Sequence, residues 1–261
     1  MHLWCTFFVS RPMFADVQLH GLHSVINGLL PNWSVELRAA RDEDSPKYIV
    51  VRRQGRLYDC IQQVAPPKRG LGWAVLTGSY GGLSFFVMHC EGTLPPELNE
   101  TTIEVYGPST VEGQATSAWA RRIFEVLAAR LPVRYARANI KGEFDAKNLV
   151  DDETGVRAIG VLLAHSLPGL YWLNYFGAPY VDLIGRERLL TEPAYEVKPV
   201  GDGVLLALDA SPDAWQTAAY KEREAATIAH LGKQFFFSRS DPERKTIAPD
   251  FLVSRDRPKG D

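Results

Sequence analysis

Two glycine-centred turns constrain this chain more than any other feature. Gly78-Ser79-Tyr80-Gly81-Gly82 separates the apolar runs Trp73-Ala-Val-Leu-Thr77 and Leu83-Ser-Phe-Phe-Val-Met88. Gly201-Asp202-Gly203 separates 194–200 from 203–209 in the same manner. A glycine cluster between short apolar runs reverses the chain tightly and lays it back beside itself, so both segments predict antiparallel hairpins. Further strands are expected at 3–9 (Leu-Trp-Cys-Thr-Phe-Phe-Val), 47–52, 101–107, 133–140 and 171–176. In 101–107, Thr102, Glu104 and Tyr106 alternate with Ile103 and Val105, the pattern of a strand with one polar face.

Helices fall between these strands without a regular alternation. Asp16 sits where an N-cap would, ahead of Leu22, Val25, Ile26 and Leu29 at helical spacing, and Pro31 ends that run. Trp119, Ile123, Val126, Leu127 and Leu131 form a second stripe, stopped by Pro132, with Ser109 and Glu112 spaced as a capping box ahead of it. A short helix is expected near 180–190. A last helix is expected to open at Ser211-Pro212 and close at Gly232, with Ala218, Ala219, Ala225, Ala226 and Ala229 on its buried side. Phe235-Phe-Phe would add a strand. Hairpins mixed with helices imply an α+β fold with a largely antiparallel or mixed sheet and flanking helices. Two loosely similar halves fit this pattern, although no repeat appears at the residue level. One domain is expected over 1–238, with the polar stretch 141–156 as the place for any internal division, and 239–261 as a polar C-terminal tail.

The chain has 261 residues, 46% of them hydrophobic and 23% charged. That is ordinary globular composition and excludes disordered and fibrous classes. The net charge of −2 excludes a general basic field, so direct nucleic-acid binding is not expected. No apolar run reaches 18 residues, so no membrane span is expected. No Lys or Arg precedes Arg11, and the apolar stretch Leu3–Val9 is too short for a secretory core, so a cytoplasmic location is expected. Cys5, Cys60 and Cys90 are odd in number and irregularly spaced, which reads as reduced thiols rather than a disulfide framework.

Chemistry-bearing motifs are few in this sequence. His20 and His23 could share a metal, but no acid stands on their side of the helix, so no metal or cofactor is expected. Thr77-Gly78-Ser79-Tyr80-Gly81 lacks the first glycine of a nucleophile elbow and joins two strands. Asp151-Asp152-Glu153 reads as a solvated acidic loop. The charge map is more informative. Between Arg69 and Arg121 there is no Lys or Arg, while Glu91, Glu97, Glu100, Glu104 and Glu112 fall in that window. Residues 91–155 carry a net charge of −4. Uncompensated acids repel one another, and a basic macromolecular partner would relieve that repulsion and be steered to the surface. Glu91, Glu97, Glu100 and Glu104, with Tyr106 as an aromatic anchor, are the expected partner contacts.

The run Gly169-Leu-Tyr-Trp-Leu-Asn-Tyr-Phe-Gly-Ala-Pro-Tyr-Val-Asp-Leu-Ile-Gly185 resembles the signature region of bacterial polymorphic-toxin immunity proteins, specifically the immunity protein 52 family, akin to type VI secretion immunity proteins. The likeness continues through Val204-Leu-Leu-Ala-Leu-Asp209 and Pro212-Asp-Ala-Trp215. Within it, Trp172, Asn174, Gly177 and Pro179 read as structural positions. The resemblance implies a non-enzymatic α+β inhibitor that binds a cognate toxin effector, often a nuclease. The competing expectations are a small-molecule or nucleotide hydrolase using His89 or His20, and a secretion adaptor or chaperone that carries an effector without inhibiting it.

Overall fold

A computed structural model describes residues 2–9, 34–40, 48–51, 73–80, 83–90, 99–107, 110–111, 114–153 and 155–251. The chain divides into two compact units, Met1–Ala138 and Asn139–Asp261. Its secondary structure makes it an α+β protein with mostly antiparallel pairing.

The first unit is built on strands β1 (His2–Val9), β2 (Ser34–Ala40), β3 (Tyr48–Val51), β4 (Trp73–Tyr80), β5 (Leu83–Cys90) and β6 (Asn99–Tyr106). Two-residue strands β7 (Thr110–Val111) and β8 (Gln114–Ala115) precede helix α1 (Thr116–Arg130), and β9 (Val133–Ile140) follows it. The sheet order is β9-β1-β6-β5-β4-β2-β3. The predicted glycine-centred hairpin is present, with Trp73 opposite Cys90 and Tyr80 opposite Leu83. β2 has no counterpart in the sequence reading. Leu3, Cys5, Phe7 and Val9 are fully buried, and Thr6 and Phe8 on the alternate positions nearly so. Such a strand is covered on both faces, which explains its nearly continuous apolar composition. The Phe7 ring meets Phe124 of α1 at 5.2 Å between centroids, and Phe8 stacks on Tyr135 of β9 at 6.0 Å. Trp119, Ala120, Ile123, Phe124 and Leu127 form the buried stripe of α1, at the spacing that a helix face requires. α1 begins at Thr116 with Ala115 at its N-cap and no side-chain cap, so the expected Ser109/Glu112 box does not open it; both residues lie outside the described ones.

The second unit begins with a correction. The stretch 141–156, expected as a polar connection, contains helix α2 (Lys141–Asn148) and strand β10 (Leu149–Asp152), and β10 pairs antiparallel with β11 (Gly155–Ala158). Three mutually antiparallel strands follow, ordered β13-β14-β12: β12 (Leu173–Phe176), β13 (Glu196–Val200) and β14 (Gly203–Ala207). Val200 pairs with Gly203 across the predicted turn. A Cβ on Gly203 would lie 2.4 Å from the Phe176 carbonyl and 2.5 Å from the Tyr175 ring, so only glycine fits under this ring. The expected helix near 180–190 is two helices, α3 (Ala178–Ile184) and α4 (Arg186–Leu190), split by Gly185 at φ 97°. A non-glycine residue is disfavoured at that angle.

The last helix also differs from expectation. Ser211 caps only a 3-10 turn, Pro212–Gln216, and α5 (Ala218–Leu231) starts afresh behind Thr217, whose hydroxyl accepts from the Tyr220 N–H at 3.3 Å. The alanines expected on its inner side are exposed; Tyr220, Thr227 and Leu231 are buried instead. Phe235 ends a 3-10 turn, and Phe236 forms a single parallel bridge with Leu167 rather than a strand. Residues 239–251, expected as tail, are held in place. Arg239 donates to the Ala146 carbonyl, Ile247 N–H to the Gln234 carbonyl, and Phe251 is buried against Tyr180 at 6.0 Å.

Candidate functional site

Three of the five expected partner contacts lie on the described strand β6 and two do not. Glu91 and Glu97 lie outside the described residues. Glu100, Glu104 and Tyr106 lie on β6, where Glu100 stands opposite Phe8 of β1 and Cys90 of β5, and Glu104 opposite Trp4 and Phe86. Tyr106 stands opposite His2 and Ser84. The three share one parity of the strand. β6 is paired along both sides, so its backbone is committed to the sheet and only side chains could serve a partner. His20 and His23 lie outside the described residues, and His89 sits on β5 opposite Ala74 and Thr101.

The run 169–185 is held by internal hydrogen bonds. Trp172 is buried and its indole N–H donates to the Asp209 carbonyl at 3.0 Å. The Asn174 amide closes on the backbone three residues back: Oδ1 accepts from Tyr171 N–H at 3.1 Å, and Nδ2 donates to the Tyr171 carbonyl at 2.8 Å. The carbonyl of Gly177 accepts from the N–H groups of Tyr180 and Val181, starting α3, and Pro179 occupies the first turn where no N–H is needed. The Tyr175 hydroxyl donates to Asp202 Oδ1 at 3.2 Å, and Arg186, just past the run, donates to the Asp202 and Gly203 carbonyls, so the two side chains clamp the β13–β14 turn.

A buried polar network underlies the same unit. On α2, Glu143 is fully buried, and its Oε1 accepts from Lys147 Nζ at 2.8 Å and from the Tyr220 hydroxyl at 2.6 Å. Lys147 also reaches Glu224 at 2.8 Å and the Leu170 carbonyl, and stands over the Tyr171 and Tyr220 rings at 5.1 and 5.5 Å. Asn148 donates to the Ile159 and Pro168 carbonyls and accepts from the Tyr171 hydroxyl. Burial raises the Glu143 carboxyl above the usual range despite Lys147 and Tyr220. Burial alone would lower Lys147, but Glu143 and Glu224 overcome it and hold the ammonium charged. Burial, then Glu143, raise Tyr220. In the first unit, burial pushes the Cys5 thiol up to about 12. These shifts oppose nucleophilic chemistry: the lysine stays cationic, and the phenol and thiol keep their protons. Among the described residues no three His, Cys, Asp or Glu side chains gather as a metal site, and Asp151 and Glu153 are exposed.

The chain matches no protein-family model and no curated protein. Among solved structures it is similar to the Pseudomonas aeruginosa T6SS protein PA0821, at 14% identity over 93% of this chain and 86% of that one, with a TM-score of 0.46. At that score the likeness carries no functional inference.

Sequence reasoning missed Glu143 and Lys147. Their i,i+4 spacing, acid first, was the available signal for a helix at 141–148. Nothing in that spacing distinguishes a buried pair from a surface one.

Proposed function

We propose that this chain is a toxin-neutralising immunity protein that forms a stoichiometric complex with a cognate effector, a nuclease domain, and has no catalytic activity of its own. The observation that carries this reading is the base-free window between Arg69 and Arg121, with its five glutamates. A nuclease presents a basic cleft shaped for phosphates, and clustered carboxylates can occupy it in place of the nucleic-acid backbone. The likeness of 169–185 to immunity proteins supports the same reading.

The test is co-expression with the product of the neighbouring gene, followed by co-purification and a growth-rescue assay. Rescue with a 1:1 complex is expected. Reversing Glu91, Glu97, Glu100 and Glu104 to Lys should slow association about ten-fold or more at low salt, with the gap closing as salt rises. A Glu91→Lys/Glu97→Lys pair, leaving β6 untouched, guards against misfolding. Rescue unaffected by either set would discard the acidic window as the contact surface; co-purification without rescue would indicate an effector carrier.

A further inference from the structure

The second unit contains a groove that nothing above uses. It encloses about 390 Å³ between the turn at 160–166 and the segment 237–246. Its base is fixed by backbone: Leu167 N–H donates to the Phe235 carbonyl, and Phe237 N–H to the Leu167 carbonyl, each at 2.8 Å. On one side the Leu162 carbonyl accepts from both His165 and Ser166 N–H groups. On the other, Arg244 donates to the Phe236 carbonyl at 2.7 Å and ties its segment down. Gly160, at φ 67°, approaches Phe237 so closely that a Cβ would fall 2.1 Å from the ring. The walls are therefore preformed.

Some of its polar groups are committed: the Ser238 hydroxyl bonds that of Ser240, and one Arg244 nitrogen donates to Phe236; others are not. Ser166 is 4% exposed, lines the groove, and its hydroxyl has no hydrogen-bond partner among the described residues. Arg244 Nε is buried without a partner. Neither Arg244 nor Lys245 forms an ion pair with Asp241, although all three line the same space. His165 adds a third basic group. Two permanent cations against one carboxylate, with the Ser166 and Thr246 side chains in the same lining, favour an anion. Leu162 and Phe237 supply an apolar wall, and the volume suits a small molecule rather than a protein surface.

We propose that this groove binds a small phosphate monoester with a hydroxylated body, such as a sugar phosphate or nucleoside monophosphate. Arg244, Lys245 and the Ser166 hydroxyl take the phosphate, and Asp241 accepts from hydroxyls of the body. The proposal is independent of the toxin-binding reading.

Titration calorimetry on the full chain with inorganic phosphate, ribose 5-phosphate and AMP tests it. Saturable 1:1 binding of at least one ester is expected, ten-fold or more tighter than inorganic phosphate. Lys245→Glu, an exposed position that makes no bond, should weaken it ten-fold or more, and Ser166→Ala several-fold, with circular dichroism unchanged in both. No saturable heat with any probe overturns the proposal, as does ester affinity that survives Lys245→Glu. Inorganic phosphate binding as tightly as the esters overturns the assigned body. A glutamate-rich peptide that displaces the ester at lower concentration would make the groove a peptide site and overturn the proposal as well.

Discussion

Glu143 and Glu192 are both buried carboxyls of the second unit, and they are handled in opposite ways. Glu143 receives an ammonium and a phenol on one oxygen, and the ammonium is itself shared with Glu224. Glu192, in the link between α4 and β13, has both oxygens buried and no partner for either among the described residues. Burial pushes its carboxyl up to about 8. Near neutral pH it therefore keeps its proton rather than paying for an unpaired charge. Burial raises both carboxyls; only Glu143 has neighbours, Lys147 and Tyr220, that oppose the rise.

That contrast can be broken experimentally, and the largest effect should come from Lys147→Met. It leaves the fully buried Glu143 without its cation and should cost about 3–5 kcal/mol, read from urea unfolding. A loss below about 1 kcal/mol would mean that Glu143 is neutral like Glu192. Second in size is the pH response of Glu192. Its folded-state value lies above the ordinary 4.5, so its stabilising contribution is full below about 4.5 and is lost as pH rises through about 8. Glu192→Gln should therefore raise the melting temperature at pH 8, by an amount of order a few kcal/mol in stability, and do little at pH 4.5. Equal effects at both values would assign the gain to packing. Tyr220→Phe comes next: it removes one bond to Glu143 and should cost about 1.5–3 kcal/mol by the same unfolding assay. The smallest effect belongs to Lys141→Ala on the same helix. Lys141 pairs with Asp145 at the surface, side chain 54% exposed, and its loss should cost no more than about 0.5 kcal/mol.

The sequence made some of this legible and hid the rest for definite reasons. The hairpins at 73–90 and 196–207 were readable because turn chemistry is local. α1 was readable because Trp119, Ile123 and Leu127 are large enough to mark one face. α5 was misread because alanine is indifferent to burial, so Ala218 or Ala225 cannot say which side faces in, while Tyr220, Thr227 and Leu231 do so only once the helix start is known. The start was misplaced because Ser211-Pro212 is a genuine cap, but of a 3-10 turn. The segment 141–156 was read as a connection because charged residues ordinarily face water; Glu143 and Lys147 violate that rule as a pair. Glu192 carried no signal at all, since nothing around Thr191-Glu192-Pro193 marks an acid for burial.

β13 stands at the end of its sheet, and Pro199 lies within it. A proline has no amide hydrogen to offer, so a visiting strand would find a gap in the row of donors there. Lys198 and Glu196 add charge to the same border, 3.4 Å apart. Copies of this protein crowded together are thereby discouraged from stitching themselves into fibrils along that rim.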